Sequence, residues 1–217
     1  MTVMVSGMVA AWREVRTIVL ALAGLTVIAW LARLRGVALL GAALLGWIFY
    51  FFRDPERWPV ASAGDLILAP ADGKVTDIEV VEEPLFFQGP ARRVSVFLSL
   101  FDVHVQRAPF AGQVEFLHYQ PGDFAPAFLK DTHSNEFNLI GFSTRHGLVG
   151  VKQITGILAR RIVCWAEIGD NLERGQRLGL IKFGSRVDLL LPLEVELLVQ
   201  VGQKVYGGQT VMGRWRV

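Results

Sequence analysis

A single cysteine, Cys164, stands among 217 residues, so an internal disulfide and a multi-cysteine metal site are both excluded. Charge is scarce too. Only 19% of the residues are Asp, Glu, Lys or Arg, and the net charge at pH 7 is +2, which leaves no broad basic surface for nucleic acid. His118, His133 and His146 lack the spacing of metal ligands and read as solvent-facing or structural positions. The glycines have no strand-to-helix context and therefore form no phosphate cradle. Cys164 lies in the apolar stretch Ile162-Val163-Cys164-Trp165 and reads as a buried structural thiol, compatible with a reducing compartment.

Apolar residues are abundant instead, at 52% of the chain, and the excess sits at one end. Residues 17–32 and 36–52 form two uncharged runs separated by Arg33-Leu34-Arg35. Each is a little short of the roughly 20 residues that a membrane-spanning helix needs. They predict an apolar helical hairpin that associates with a membrane, either across it or shallowly in one leaflet. Arginines in the turn and on both outer flanks (Arg13, Arg16, Arg53, Arg57) give no orientation. The charges and prolines of Arg53-Asp54-Pro55-Glu56-Arg57-Trp58-Pro59 end this segment, which divides the chain into residues 1–58 and a domain over 59–217.

The second part reads as short strands punctuated by Gly and Pro: 66–68, 75–80, 93–100, 112–119, 149–154, 161–166, 187–191 and 195–199, with a short helix near 125–130. That pattern predicts a mainly β, β-rich α+β fold. Gly169-Asp-Asn-Leu-Glu-Arg-Gly175-Gln176 and Gly202-Gln-Lys-Val-Tyr-Gly-Gly208-Gln209 form a weak repeat. Together with Ala69-Pro70-Ala71-Asp72-Gly73-Lys74-Val75, it is similar to the strand and turn pattern of lipoyl and biotinyl carrier domains, which implies a flattened β-barrel.

The Gly184-Ser185 pair lies between two apolar, strand-like runs. A serine hydroxyl held against the preceding carbonyl can attack it in an N-to-O acyl shift, and glycine permits the strained backbone this needs. Elimination then leaves an electrophilic carbonyl at the new N-terminus. His104, in an alternating strand-like run, and Asp72, before Gly73, complete a candidate Ser-His-Asp arrangement in which imidazole takes the Ser185 proton and a carboxylate orients it.

Four segments in this order, Phe51-Phe52-Arg53-Asp54-Pro55, Pro70-Ala71-Asp72-Gly73-Lys74-Val75, Phe101-Asp102-Val103-His104-Val105-Gln106-Arg107-Ala108-Pro109 and Phe183-Gly184-Ser185-Arg186-Val187-Asp188, resemble the short, compact, archaeal-type branch of the phosphatidylserine decarboxylase family. The resemblance implies cleavage between Gly184 and Ser185 into a larger chain, 1–184, and a smaller one, 185–217, held together as a heterodimer. It also implies a pyruvoyl group made from Ser185 that takes the amine of phosphatidylserine as a Schiff base, with no metal, and release of CO₂ and phosphatidylethanolamine. His104 would handle protons in maturation and turnover, and Asp72 would chiefly support maturation. The family's longer members carry a second histidine where this chain has Arg107, and an arginine where it has Phe137; Asn135 and Glu136 remain site-lining candidates. Arg107, Lys130 and Arg186 are candidates for the substrate phosphate.

A diacyl lipid leaves a bilayer only at a cost of about 0.8 kcal/mol per CH₂, so such an enzyme is expected at the cell membrane, peripheral or hairpin-anchored, with its catalytic domain cytoplasmic. Higher oligomers are compatible with this reading. Two alternatives stand beside it: a membrane-anchored lipoyl- or biotinyl-like carrier or adaptor without catalysis, and a decarboxylase of an ether-linked serine phospholipid. Lys182, in Ile-Lys-Phe, lacks the context of a carrier attachment lysine.

Overall fold

The computed structural model describes residues 11–57, 64–123, 135–156, 161–182 and 185–216. Gly184, Lys130, His133 and the helix expected near 125–130 lie outside these. The chain divides into two compact units, residues 1–55 and 56–217.

In the first unit, helices α1 (Arg16–Leu31) and α2 (Arg35–Phe51) form the expected apolar hairpin around a turn in which Arg33 takes a positive φ of 61°. Apolar side chains are exposed all around it, among them Leu20, Ile28, Leu31, Leu39 and Phe49. At 1.5 Å per residue the helices are about 24–26 Å long. Among the described residues no helix is long and apolar enough to cross a membrane.

The second unit is mainly β, as expected. An eight-stranded antiparallel sheet runs, edge to edge, through β13 (Lys204–Val205), β2 (Gly73–Glu83), β3 (Gly89–Leu98), β11 (Ser185–Leu191), β7 (Gly147–Ile154), β6 (Phe137–Thr144), β5 (Gly112–Gln120) and β9 (Asn171–Leu172). One three-stranded sheet orders β1 (Leu66–Leu68), β14 (Val211–Arg214) and β12 (Glu196–Leu197). A second orders β4 (Val105–Arg107), β10 (Arg177–Ile181) and β8 (Ile162–Cys164).

Alternation makes the core. Val75, Val96 and Val187 are successive register partners, as are Val94, Leu189 and Val151, and all are fully buried on one face. Each such side chain contributes about 1.5–3 kcal/mol by leaving water. The opposite face carries a smaller cluster of Phe137, Leu139, Ile154 and Leu190 under Phe86 and Phe87, together with buried ion pairs.

The glycine repeat has a structural meaning. Its copies supply the two edge strands, β9 and β13, and repeat the same hydrogen bonds: Gly169 N–H to Val114 O and Gly202 N–H to Val75 O, then Gly175 N–H to Ala108 O and Gly208 N–H to Ala69 O. The partners themselves repeat, since Ala69-Pro-Ala-Asp-Gly-Lys-Val75 matches Ala108-Pro-Phe-Ala-Gly-Gln-Val114. The two edges of the sheet are thus built alike. Of the two matching segments, only the first has a carboxylate at its fourth position, where Asp72 corresponds to Ala111.

Candidate active site

Ser185 opens β11 opposite Leu98, one step beyond the row formed by Arg186, Phe97 and Lys74. The start of β2, the end of β3 and the start of β11 therefore meet at one end of the sheet. Ser185 is fully buried, and its hydroxyl oxygen has no hydrogen-bond partner among the described residues. An unsatisfied buried hydroxyl costs about 1–3 kcal/mol, which makes this atom the anomaly of the strand.

His104 is brought to the same end by the segment that follows β3. It stands just before β4, not within a strand, because the chain turns at Ser99–Asp102 before pairing resumes at Val105. The imidazole is buried, with Nδ1 3.0 Å from the main-chain oxygen of Asp102. A carbonyl only accepts, so Nδ1 carries a proton, and in the neutral ring Nε2 holds the lone pair that a base needs. The His104 carbonyl in turn accepts the Ile181 N–H at 3.3 Å, which ties the histidine to the end of β10, four residues before Ser185.

Asp102 anchors that turn. One carboxylate oxygen accepts the Ser99 N–H at 2.9 Å and the Ser99 hydroxyl at 2.7 Å, and the other pairs with Lys204. Burial pushes its acidity down, but the Lys204 and Ser99 hydrogen bonds outweigh that and hold the pKa below the ordinary carboxylate value.

Asp72 is held at the start of β2. Gly73 takes a φ of +154°, and a Cβ there would lie 2.2 Å from the Phe97 oxygen, so only glycine lets the two strands close up behind the aspartate. Arg57 grips the carboxylate with two nitrogens, Nη2 to Oδ2 at 2.7 Å and Nη1 to Oδ1, while Gly207 N–H donates to Oδ1 at 2.8 Å. Arg57, expected among the hairpin's flanking cations, lies at the start of the second unit. There it is a partner of Asp72, a pairing between segments whose separation hides it from local patterns. The imidazole Nδ1, for which a carboxylate partner was expected, faces the Asp102 main chain.

Arg186 forms a buried two-point pair with Asp188, Nε to Oδ1 at 2.6 Å and Nη2 to Oδ2 at 2.9 Å, which gives it a structural role on the face away from the core. Arg107 is buried and donates to Gly175 O at 3.2 Å. The Asn135 amide donates to Thr155 O at 2.8 Å, and Glu136 accepts the Tyr119 hydroxyl at 2.7 Å, a bond that raises the tyrosine pKa. Cys164 is half-buried, not fully buried as expected; the burial it has raises the thiol pKa, and its Sγ lies 3.5 Å from Ala166 O. Among the described residues no group of His, Cys, Asp and Glu has the arrangement of a metal site.

A family model described as phosphatidylserine decarboxylase matches residues 44–213. The phosphatidylserine decarboxylase proenzyme of Carboxydothermus hydrogenoformans is 49% identical over 180 residues, 82% of this chain and 84% of the relative. That of Symbiobacterium thermophilum is 49% identical over 181 residues, 81% and 83% of the two chains. That of Salinibacter ruber is 48% identical over 173 residues, 78% and 76%.

Proposed function

The chain belongs to the phosphatidylserine decarboxylase family, and we propose that it matures by cutting itself between Gly184 and Ser185 and then converts phosphatidylserine to phosphatidylethanolamine and CO₂. It is a carboxy-lyase of phospholipid biosynthesis, and the carrier or adaptor reading is not favoured by relatives that are decarboxylase proenzymes. The observation that supports the residue roles best is the buried hydroxyl of Ser185, which has no hydrogen-bond partner among the described residues.

In maturation, His104 Nε2 takes the Ser185 hydroxyl proton as Oγ attacks the Gly184 carbonyl carbon, and returns a proton to the Ser185 nitrogen as the peptide C–N bond breaks. Loss of the Ser185 Cα proton then breaks the Cβ–O ester bond and frees the Gly184 carboxylate. Water finally replaces the nitrogen, which leaves as ammonia. The atoms balance with no oxidant or metal. Asp72, clamped by Arg57 and Gly207, supports maturation by fixing the start of β2.

The orphaned Ser185 hydroxyl fits a residue destined for a pyruvoyl group, which supplies an electron sink for the departing carboxyl. During turnover His104 delivers the proton that replaces CO₂. The burial of this end keeps bulk water away from the reacting centre. Residues 185–217 stay in the fold after cleavage because β11 is hydrogen-bonded between β3 and β7 along its length. The hairpin's exposed apolar surface holds the enzyme at the bilayer that contains its substrate.

The test is incubation of the purified chain with phosphatidylserine vesicles. Phosphatidylethanolamine and CO₂ form with the native chain and not with Ser185→Ala; equal product from both contradicts the reading.

A further inference from the structure

A row of buried amides ends on the backbone of His104. Asn138 Nδ2 donates to Gln153 Oε1 at 2.9 Å, Gln153 Nε2 donates to Gln106 Oε1 at 2.9 Å, and Gln106 Nε2 donates to the His104 carbonyl at 2.7 Å. Gln106 and Gln153 are fully buried, and Asn138 is 5% exposed. The terminal carbonyl fixes every amide, since it can only accept. Gln106 must therefore present its NH₂ there and its oxygen to Gln153, and Gln153 likewise to Asn138.

The row crosses between sheets. Asn138 and Gln153 are register partners on β6 and β7 of the large sheet, whereas Gln106 lies on β4 of the small one. Gly179, the register partner of Gln106 on β10, leaves the gap this needs: a Cβ there would lie 3.1 Å from Gln153 Nε2 and 2.1 Å from Val163 O. Gln153 is also the register partner of Val187, two residues along β11 from Ser185. One side chain is thus indexed to the strand that carries the serine and, through Gln106, to the loop that carries the histidine.

An apolar row of the same volume would fill this space without the desolvation that buried amides incur. What apolar packing cannot supply is a directional hold on one carbonyl, strengthened along a chain of aligned bonds. We propose that Gln106 and Gln153 are positioning residues that set the His104 imidazole against Ser185, a role that rests on the reading of those two as the reacting pair. A displacement of about 1 Å between reacting groups costs on the order of 10²-fold in rate.

The experiment follows precursor conversion after the full chain is refolded, with near-UV circular dichroism as the check on packing. Gln106→Met and Gln153→Met each slow conversion roughly 10- to 100-fold, and the double variant is no slower than the worse single one, because both break one linkage. Should Gln106→Met not fold, Gln153→Met carries the same comparison one link further from the histidine. In an uncut Ser185→Ala background, the ¹⁵N spectrum of His104 shows the Nδ1–H tautomer, and adding either substitution gives a tautomer mixture. Folded single variants that convert at the native rate, or an unchanged His104 spectrum, overturn the positioning role and leave the proposed function standing. A native chain that never converts, or a folded His104→Ala chain that converts normally, overturns the function reading on which it rests.

Discussion

Arg57 and Asp72 form a two-point ion pair, Nη2 to Oδ2 at 2.7 Å, with only 7% and 6% of their side chains exposed. Removing one partner of such a pair strands the other charge at a cost of about 3–5 kcal/mol. Asp72→Asn and Arg57→Met are therefore both expected to lower thermal stability and slow maturation. Measuring unfolding and precursor conversion together separates the effects. Either variant maturing at the native rate contradicts a role for the pair at the site.

His104→Ala removes the base and is expected to leave folded precursor uncut. His104→Gln keeps much of the volume and offers no titratable nitrogen, so it should behave alike. Conversion followed on a denaturing gel, with circular dichroism as a folding control, distinguishes lost chemistry from lost structure.

The Lys204–Asp102 pair gives an acid response. Because the folded Asp102 pKa is depressed, its contribution to stability is present above the unfolded carboxylate value, about 3.9, and is lost as pH falls through the lower folded value. Lys204→Met removes the largest of the contributions that hold the Asp102 pKa down, so acid unfolding should begin at a higher pH. An unchanged midpoint of acid unfolding would show that the pair adds nothing.

Cys164 should react slowly in the folded protein. Burial raises its thiol above the ordinary value of 9.0, so the nucleophilic thiolate is scarce at pH 8. Alkylation by iodoacetamide is expected to be slow when native, fast in denaturant, and in the native protein to keep accelerating as pH rises past 9 instead of levelling off there. Equal rates in both states contradict the burial.

Apolar runs set off by Gly, Pro or charged residues were legible: residues 66–68 are bounded as observed, and the runs near 75–80, 112–119 and 187–191 all lie within strands. β6, buried along most of its length like β11, was not, because Asn138 and Gly141 interrupt its apolar run. β4 is Val-Gln-Arg, and Gly179 and Gly213 interrupt β10 and β14, so none of the three shows an apolar run. The glycine repeat was legible, but not its use as the two sheet edges. The Asp72, His104 and Ser185 contexts stood out locally. Arg57 and the Gln106–Gln153 linkage did not, since each is specified by partners on distant segments that only the folded topology brings together.

The central claim is self-cleavage at Ser185, and intact mass spectrometry of the freshly purified, denatured chain tests it most directly. The expected result is two species, residues 1–184 and residues 185–217, the smaller with a pyruvoyl group in place of its N-terminal serine. A single uncut chain of 217 residues from protein that is folded would contradict it.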